Sequence, residues 1–450
     1  METYDVAVIG MGPGGEHVAE TLAERGLRVL GIDRLLVGGE CPYWGCIPSK
    51  MMVRAADLLA EARRVPDFAG TTGEVRPDWS IVARRIRAEA TDNWDDRVAV
   101  ERFTGKGGTF LRGTGRLTGP GRVEVDGVPY ALTRGVVVAT GTTASIPPIE
   151  GLDTVPYWTN RDVVEAEELP ASLIVLGGGA IGSELSQVLA RFGVRVTIVE
   201  AADRLLALEE PEAGEALREV LESEGITVHL GVRASRVERD GDGVAVVIGP
   251  GRVVRAERLL VATGRRADPA AAGLGSVGVA ADARVAPIDE HCRVAEGVWA
   301  LGDVTGKGAF THVSMYQAGI VIRDVLGEDG PPASYHALPR VTFTDPEVGA
   351  VGMTERQARD AYPHVRVGSV AVPGTTRGWI HGGGGFIKVV EDADTGVLVG
   401  GTAMGPAGGE VLGALAVAVH GRVPVDTLRS MIYAYPTFHR GIEAALQSLR

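Results

Sequence analysis

Cys41 and Cys46 are two of only three cysteines in the chain, with four residues between them, and Lys50 lies four residues beyond the second. Thiols at this spacing beside an amine point to electron exchange, provided that the two sulfurs can meet. A regular helix would hold the two Cα atoms roughly 8–9 Å apart, from a rise of ~1.5 Å and a turn of ~100° per residue. A disulfide spans at most about 7 Å between Cα atoms. The backbone between them must therefore be irregular, and Pro42, Gly45 and Pro48 are the residues that make it so. A helix starting near Pro48 then puts Cys46 at its positive end, where a thiolate is stabilised, with Lys50 on the same face. The pattern is that of a redox dithiol held beside a cation. Unpaired core cysteines are the plainer alternative. A zinc site would need a second cysteine pair or a nearby histidine pair, which the sequence lacks, so no metal site is expected.

The positioning elements announce themselves as one pattern used twice. Tyr4–Gly10 reads as an apolar strand and Gly10-Met11-Gly12-Pro13-Gly14-Gly15 as a loop. An amphipathic helix follows through Arg25, then a strand over Arg28–Ile32 that ends at Asp33. Further on, Leu173–Leu176 is a strand, Gly177-Gly178-Gly179-Ala180-Ile181-Gly182 a loop, and Ser183–Phe192 a helix. Val194–Val199 is a strand ending at Glu200. Each acid follows the first glycine of its loop by 23 residues. The glycines Gly10, Gly12, Gly15 and Gly177, Gly179, Gly182 let a pyrophosphate reach a helix N-terminus, and Asp33 and Glu200 are placed to accept from ribose hydroxyls. Two such units imply two dinucleotides.

Around these units, Met51–Asn93 reads as two charged helices broken over Pro66–Asp78, and the turn-rich Gly105–Tyr130 as a small antiparallel sheet. Two further strands, ending Val138-Ala139-Thr140-Gly141 and Val261-Ala262-Thr263-Gly264-Arg265, match one another. From Tyr335 the character changes to alternating strands, a four-glycine turn at Gly382–Gly385 and a small-residue helix over Val411–His420. The 450 residues have room for two or three cores of ~100–200 residues each. No apolar run approaches the ~18 residues of a membrane span, and the first strand begins too early for a signal peptide to precede it. A net charge of −13 argues against nucleic acid as a partner and for a cytoplasmic protein, where a cysteine pair is catalytic more often than structural.

The segment G-G-E-C-P-Y-W-G-C-I-P-S-K from Gly38 to Lys50 resembles the redox motif of the FAD-dependent pyridine nucleotide–disulfide oxidoreductases, whose pattern is G-G-T-C-x-N-x-G-C-x-P-[ST]-K. The resemblance runs through the whole chain, in order. It implies an α/β fold of two Rossmann-like, doubly wound dinucleotide-binding domains plus a C-terminal α+β dimerisation domain. Residues 1–150 would bind FAD and 151–270 NAD(P), 271–334 would complete the FAD domain, and 335–450 would form the interface of a homodimer. It implies that Cys46 is the flavin-side thiol, Cys41 the interchange thiol, and Lys50 with Glu184 an ion pair at the flavin. Gly39, Thr140, Gly141, Gly264 and Arg265 would line the cofactors. Gly302 and Asp303, in Gly297-Val298-Trp299-Ala300-Leu301-Gly302-Asp303, match the second FAD segment, for which the bland alternative is a helix N-cap at Asp303. His312 stands where relatives carry a flavin-proximal histidine, or is a structural core residue. Glu200 favours NADH over NADPH, a preference that Arg204 blunts.

At the substrate side the chain departs from the pattern H-x-H-P-T-x-x-E. It reads Tyr433-Ala434-Tyr435-Pro436-Thr437-Phe438-His439-Arg440, with tyrosine for the acid–base histidine and arginine for the glutamate. An unperturbed tyrosine titrates near ~10 against ~6.5 for histidine, so Tyr435 is a poor proton acceptor at neutral pH, and His439 is the other candidate. The leading expectation is an NAD(P)H-dependent flavoprotein passing electrons between its dithiol and a small-molecule disulfide, dithiol or other acceptor. One alternative is a transhydrogenase- or quinone-reductase-like carrier with an idle dithiol. Metal reduction like that of mercuric reductase lacks its C-terminal cysteine pair here, and a non-catalytic role sits poorly with two intact loops. Pro42, Tyr43 and Trp44 imply a more aromatic substrate pocket.

Overall fold

Val6, Ala7, Val8 and Ile9 are buried on both faces of the first strand, β1 (Glu2–Ile9), as a parallel strand covered on both sides requires. The computed structural model, which describes residues 1–450, pairs β1 in parallel with β2 (Val29–Asp33) on one side and with strand Val128–Val138 on the other. Helix α1 (Pro13–Glu24) opens on a proline at a position where the missing N–H costs nothing, and buries Val18, Ala19, Leu22 and Ala23 against the sheet.

These elements belong to the first of two compact units, comprising Met1–Ser49, Ile81–Ser145 and Gly264–Ser334. Its main sheet runs 293–295, 298–300, 128–138, β1, β2, 109–112. One sequence expectation changes here. Thr109–Arg112 leaves the small antiparallel group and pairs in parallel with β2, because Phe110 joins the core that β1 and α1 share. Gly115–Gly119, Arg122–Val125 and the first half of Val128–Val138 form the antiparallel ribbon.

Helix α2 (Cys46–Phe68) has its first turn in this unit and the rest in the second. Pro66 lies inside it, so the break expected to start there begins only after Phe68.

The second unit comprises Lys50–Ser80, Ile146–Thr263 and Tyr335–Arg450. It repeats the nucleotide-fold pattern, with β3 (Ser172–Leu176), α3 (Ala180–Arg191) and β4 (Arg195–Val199) in a parallel sheet ordered 227–229, β4, β3, 258–261. Its C-terminal part is a five-stranded antiparallel sheet, 339–342, 347–352, 397–405, 386–392, 365–371, carrying helix Gly408–His420 on one face. Leu412, Leu415 and Val419 of that helix enter a core with Val351, Val389 and Leu398. The expected architecture, two parallel-sheet nucleotide folds and an α+β C-terminal part, is the one observed. No helix is long and apolar enough to cross a membrane.

Candidate active site

The dithiol segment is built from two helical pieces and a break. Glu40–Tyr43 makes a single turn, entered through Gly39 at φ +65°, and Trp44 ends it at φ −139°, ψ 0°. Helix α2 then begins at Cys46 itself, two residues earlier than expected, and Ser49 N–H donates to Gly45 C=O at 3.0 Å. Pro48 falls in the first turn, where it has no hydrogen bond to lose. Cys46 is thus the first helical residue, at the positive end of a 23-residue helix. The Cys46 Sγ is exposed and lies 3.3 Å from Thr311 Oγ1; Cys41 is half-buried. Both are thiols in this structure. Hydrogen bonding to Cys46, followed by burial, holds the Cys41 thiol well above its ordinary pKa. Tyr43 and Trp44 turn inward, 6% and 8% exposed, and Trp94 Nε1 donates to Tyr43 C=O. They brace the loop, and the aromatic pocket wall expected from them is not there.

The two glycine loops are the same device twice. Gly10 and Gly177 have φ +97° and +108°, and a Cβ on either would stand 2.4 Å from a carbonyl oxygen, of Ala139 and Ala262 respectively. A Cβ on Gly15 or Gly182 would stand 2.0 Å from the oxygen of Gly10 or Gly177. The middle glycines, Gly12 and Gly179, differ: nothing lies within 4 Å of where a Cβ would be. Each is the N-cap of its helix, and neither helix has a side-chain cap. Open space therefore fronts uncapped N–H groups, as an incoming phosphate needs. Asp33 Oδ2 accepts from Met11 N–H and Oδ1 from Leu35 N–H, both at 2.7 Å. Glu200 makes the equivalent pair with Gly178 N–H and Ala202 N–H at 2.5 and 2.6 Å. Burial raises the Asp33 pKa, against these two hydrogen bonds.

A third cluster stands in the first unit. Asp303 Oδ2 accepts from Thr142 Oγ1 at 2.7 Å, and Arg265 donates to Thr142 Oγ1 at 2.8 Å and to Thr142 C=O at 2.7 Å. Arg265 also lies 3.7 Å from Glu40. Asp303 caps no helix, since Leu301 and Phe310 hold the neighbouring N-cap positions, and burial raises its pKa. Gly302 takes φ +76° and donates its N–H to Gln317 Oε1 at 2.6 Å. Gly141 and Gly264 both have positive φ with open space where a Cβ would sit, and Thr140 is exposed. His312 is exposed at the start of helix Thr311–Leu326, stacked on Phe310 at 5.1 Å, and is no core residue.

In the second unit Lys50 Nζ donates to Glu184 Oε2 at 2.7 Å, with Glu184 7% exposed. The Tyr435 hydroxyl donates to Thr376 Oγ1 at 3.3 Å, and the Arg440 guanidinium lies over the Tyr435 ring, 5.2 Å from its centre. His439 packs near Tyr433, ring centres 6.2 Å apart.

Residues 4–318 match the model of the pyridine nucleotide-disulphide oxidoreductases, and residues 338–446 match the dimerisation domain of the same family. The chain belongs to that family. It is 34% identical to the dihydrolipoyl dehydrogenase of Chlorobaculum tepidum, over 99% of this chain and 97% of that one. It is 31% identical to the mercuric reductase of Streptomyces lividans, over 99% and 96%. Among solved structures, a Cu(II) complex of the HOCl-induced flavoprotein disulfide reductase RclA from Escherichia coli superposes with a TM-score of 0.87 at 25% identity, covering 99% of each chain. LpdA from Mycobacterium tuberculosis gives 0.86 at 27%, again over 99% of each. This member is accordingly an FAD-dependent NAD(P)H disulfide oxidoreductase that carries the family's dimerisation domain.

The residues fit the cofactors that the family implies. The open ground before each uncapped helix is what a dinucleotide pyrophosphate occupies, and the flanking glycines are packed too closely to carry a side chain. Sequence reading missed Thr142, Thr311 and Phe343. Thr142 joins Asp303 to Arg265, Thr311 meets the Cys46 sulfur, and Phe343 N–H donates to the second Glu184 oxygen at 2.8 Å. The only local signal was that Thr142 and Thr311 adjoin residues already singled out.

Proposed function

We propose that this oxidoreductase reduces a small-molecule disulfide through Cys41 and Cys46, with electrons taken from NADH. What carries the reading is the pair of thiols, one at the first position of a helix and the other hydrogen-bonded to it, across a backbone break that brings them together. Bound FAD supplies two-electron redox chemistry, and the nicotinamide supplies the hydride. The Cys41 thiolate attacks one sulfur of the substrate disulfide, and the other sulfur leaves as a thiol. Cys46 then attacks Cys41, releasing the second thiol and closing the Cys41–Cys46 disulfide, so that one substrate disulfide is reduced as one protein dithiol is oxidised. The raised Cys41 pKa means that a base must take its proton first. His439, or Tyr435 in its ionised form, from the second subunit of a homodimer, is our candidate for that post.

Lys50 and Glu184 are proposed to fix one positive charge at the redox centre. Gly10, Gly12, Gly15, Asp33, Gly39, Thr140, Gly141, Gly302, Asp303 and His312 are proposed to hold FAD, with the Thr142–Arg265 pair bracing Asp303. Gly177, Gly179, Gly182, Glu200 and Gly264 would hold the nicotinamide cofactor. NADH is favoured because Glu200 presents a carboxylate at the end of β4, while the Arg204 guanidinium is turned onto Asp203 and Ala207 C=O. The domain division at 150, 270 and 334 accompanies this assignment, as does a cytoplasmic location, consistent with a charge of −13.

Anaerobic titration of the holoenzyme with NADH tests the reading. The wild type should take up about one more equivalent per chain than Cys46→Ser before its flavin bleaches. Equal uptake would leave the dithiol outside the circuit and favour direct reduction of a quinone or nucleotide acceptor.

A further inference from the structure

Lys50 and Glu184 form an ion pair that is held at both ends by one residue. The Phe343 N–H donates to Glu184 Oε1 at 2.8 Å, while Oε2 accepts from Lys50 Nζ. The same residue turns its ring to the cation, with Lys50 Nζ 4.5 Å from the ring centre. The next turn of α3 fixes the segment. Gln187 donates to Asp345 C=O and accepts from Asp345 N–H, both at 2.8 Å, so the backbone is pinned again two residues beyond Phe343. Lys50 itself is 35% exposed and ends a flexible four-carbon stem. Its hydrogen bond to Glu184 fixes a distance, but an ammonium with three donors can still swing about that oxygen. A ring face on one side removes much of that freedom, because the ammonium is drawn to the π-cloud and blocked by it.

We infer that Phe343 is a positioning residue for the Lys50–Glu184 pair: its amide orients the carboxylate and its ring face sets the direction of the ammonium. The inference rests on the reading of Lys50 as the cation of the redox centre. It adds a residue from a separate stretch of chain to the control of that charge. It also makes the side chain and backbone of Phe343 separable, since Phe343→Leu removes the ring and keeps the amide, and Phe343→Tyr keeps both.

The test uses FAD-loaded protein labelled with carbon-13 at lysine Cε, in wild type, Phe343→Leu, Phe343→Tyr and Lys50→Met. A ring current should move the Lys50 Cε proton signal upfield in wild type and in Phe343→Tyr, the signal being assigned by its loss in Lys50→Met. In Phe343→Leu it should return to the position of solvated lysines. The midpoint potential of the bound flavin should shift in Phe343→Leu in the same direction as in Lys50→Met, by a smaller amount, and stay at the wild-type value in Phe343→Tyr. Flavin reduction by NADH should slow about threefold to fivefold in Phe343→Leu. An unshifted wild-type signal, or one that persists in Phe343→Leu, overturns the positioning role. If the signal behaves as expected but Lys50→Met leaves the potential unchanged, Phe343 still positions Lys50, and it is the assignment of Lys50 to the redox centre that fails.

Discussion

Gly10 and Gly12 are two residues apart and answer to opposite demands. Gly10 needs a positive φ, and a Cβ there would stand 2.4 Å from the Ala139 oxygen, so Gly10→Ala should cost about 2–3 kcal/mol or more in urea unfolding, from strain and clash together. Gly12 is at φ −69° with nothing in the way, so Gly12→Val should melt close to wild type and yet emerge without flavin colour, its branched side chain filling the phosphate space. Gly179→Val is the parallel case on the other loop. It should stay yellow and raise the NADH KM at least about tenfold, and a colourless Gly179→Val would mean that the two loops have been assigned the wrong way round. These residues were legible in the sequence because their chemistry is local: a turn, a helix start and an acid at fixed spacing. Thr142 and Phe343 were not, since they meet their partners Asp303 and Glu184 across 161 and 159 residues, a distance that no motif spans.

At the scale of the helix, α3 presents Glu184, Gln187 and Arg191 on one buried stripe, at the i, i+3, i+7 spacing that puts side chains on one face. Arg191, 5% exposed, donates to Asp57 at 2.7 Å, to Glu224 at 2.7 and 2.9 Å and to Asp345 at 2.8 Å. Arg191→Met should therefore destabilise the protein by about 3–5 kcal/mol, because three carboxylates would lose their shared cation. Asp57 is the odd member of this group. Burial pushes its pKa up to about 6; the Arg191 and Arg54 charges pull it down, and Asp345 and Glu347 oppose them. With the folded-state value above the unfolded one, the native state binds the extra proton between the two, so Asp57 lowers stability as pH rises through that window. Wild type should thus lose melting temperature from pH 5 to pH 8, and Asp57→Asn, which can still accept from Arg191, should lose less of it. An identical pH profile in the two proteins would show that the Asp57 carboxylate is not strained by burial. Elements were read from the sequence in the same way as residues, well where the pattern was periodic and poorly where packing decided. The strand–loop–helix units appeared where expected. Thr109–Arg112 changed sheets because Phe110 is drawn into the core beside α1, and helix α2 ran past Pro66 for two more residues.

At the scale of the molecule, the C-terminal part leaves large apolar side chains in water: Ile432 is 97% exposed, Trp379 76% and Val417 70%. All three fall within the residues that match the dimerisation domain. Each side chain of this kind gains about 1.5–3 kcal/mol when fully buried, which makes so many exposed at once unusual for a surface that meets only solvent. A chain with a net charge of −13 also repels its own copy, so any self-association must draw on apolar contact. Ile432→Asp places a charge where apolar burial is needed. It should convert a particle of roughly twice 47.1 kDa into one of 47.1 kDa in sedimentation, with flavin retained, since Ile432 lies far along the chain from both glycine loops. Raising the salt should leave the wild-type dimer intact, as screening weakens charge pairs and not apolar contact. If Tyr435 serves the dithiol of the opposite subunit, the monomeric variant should still reduce its flavin with NADH and yet fail to turn over a disulfide. Full disulfide turnover by a monomer would instead place the proton acceptor of Cys41 within a single chain.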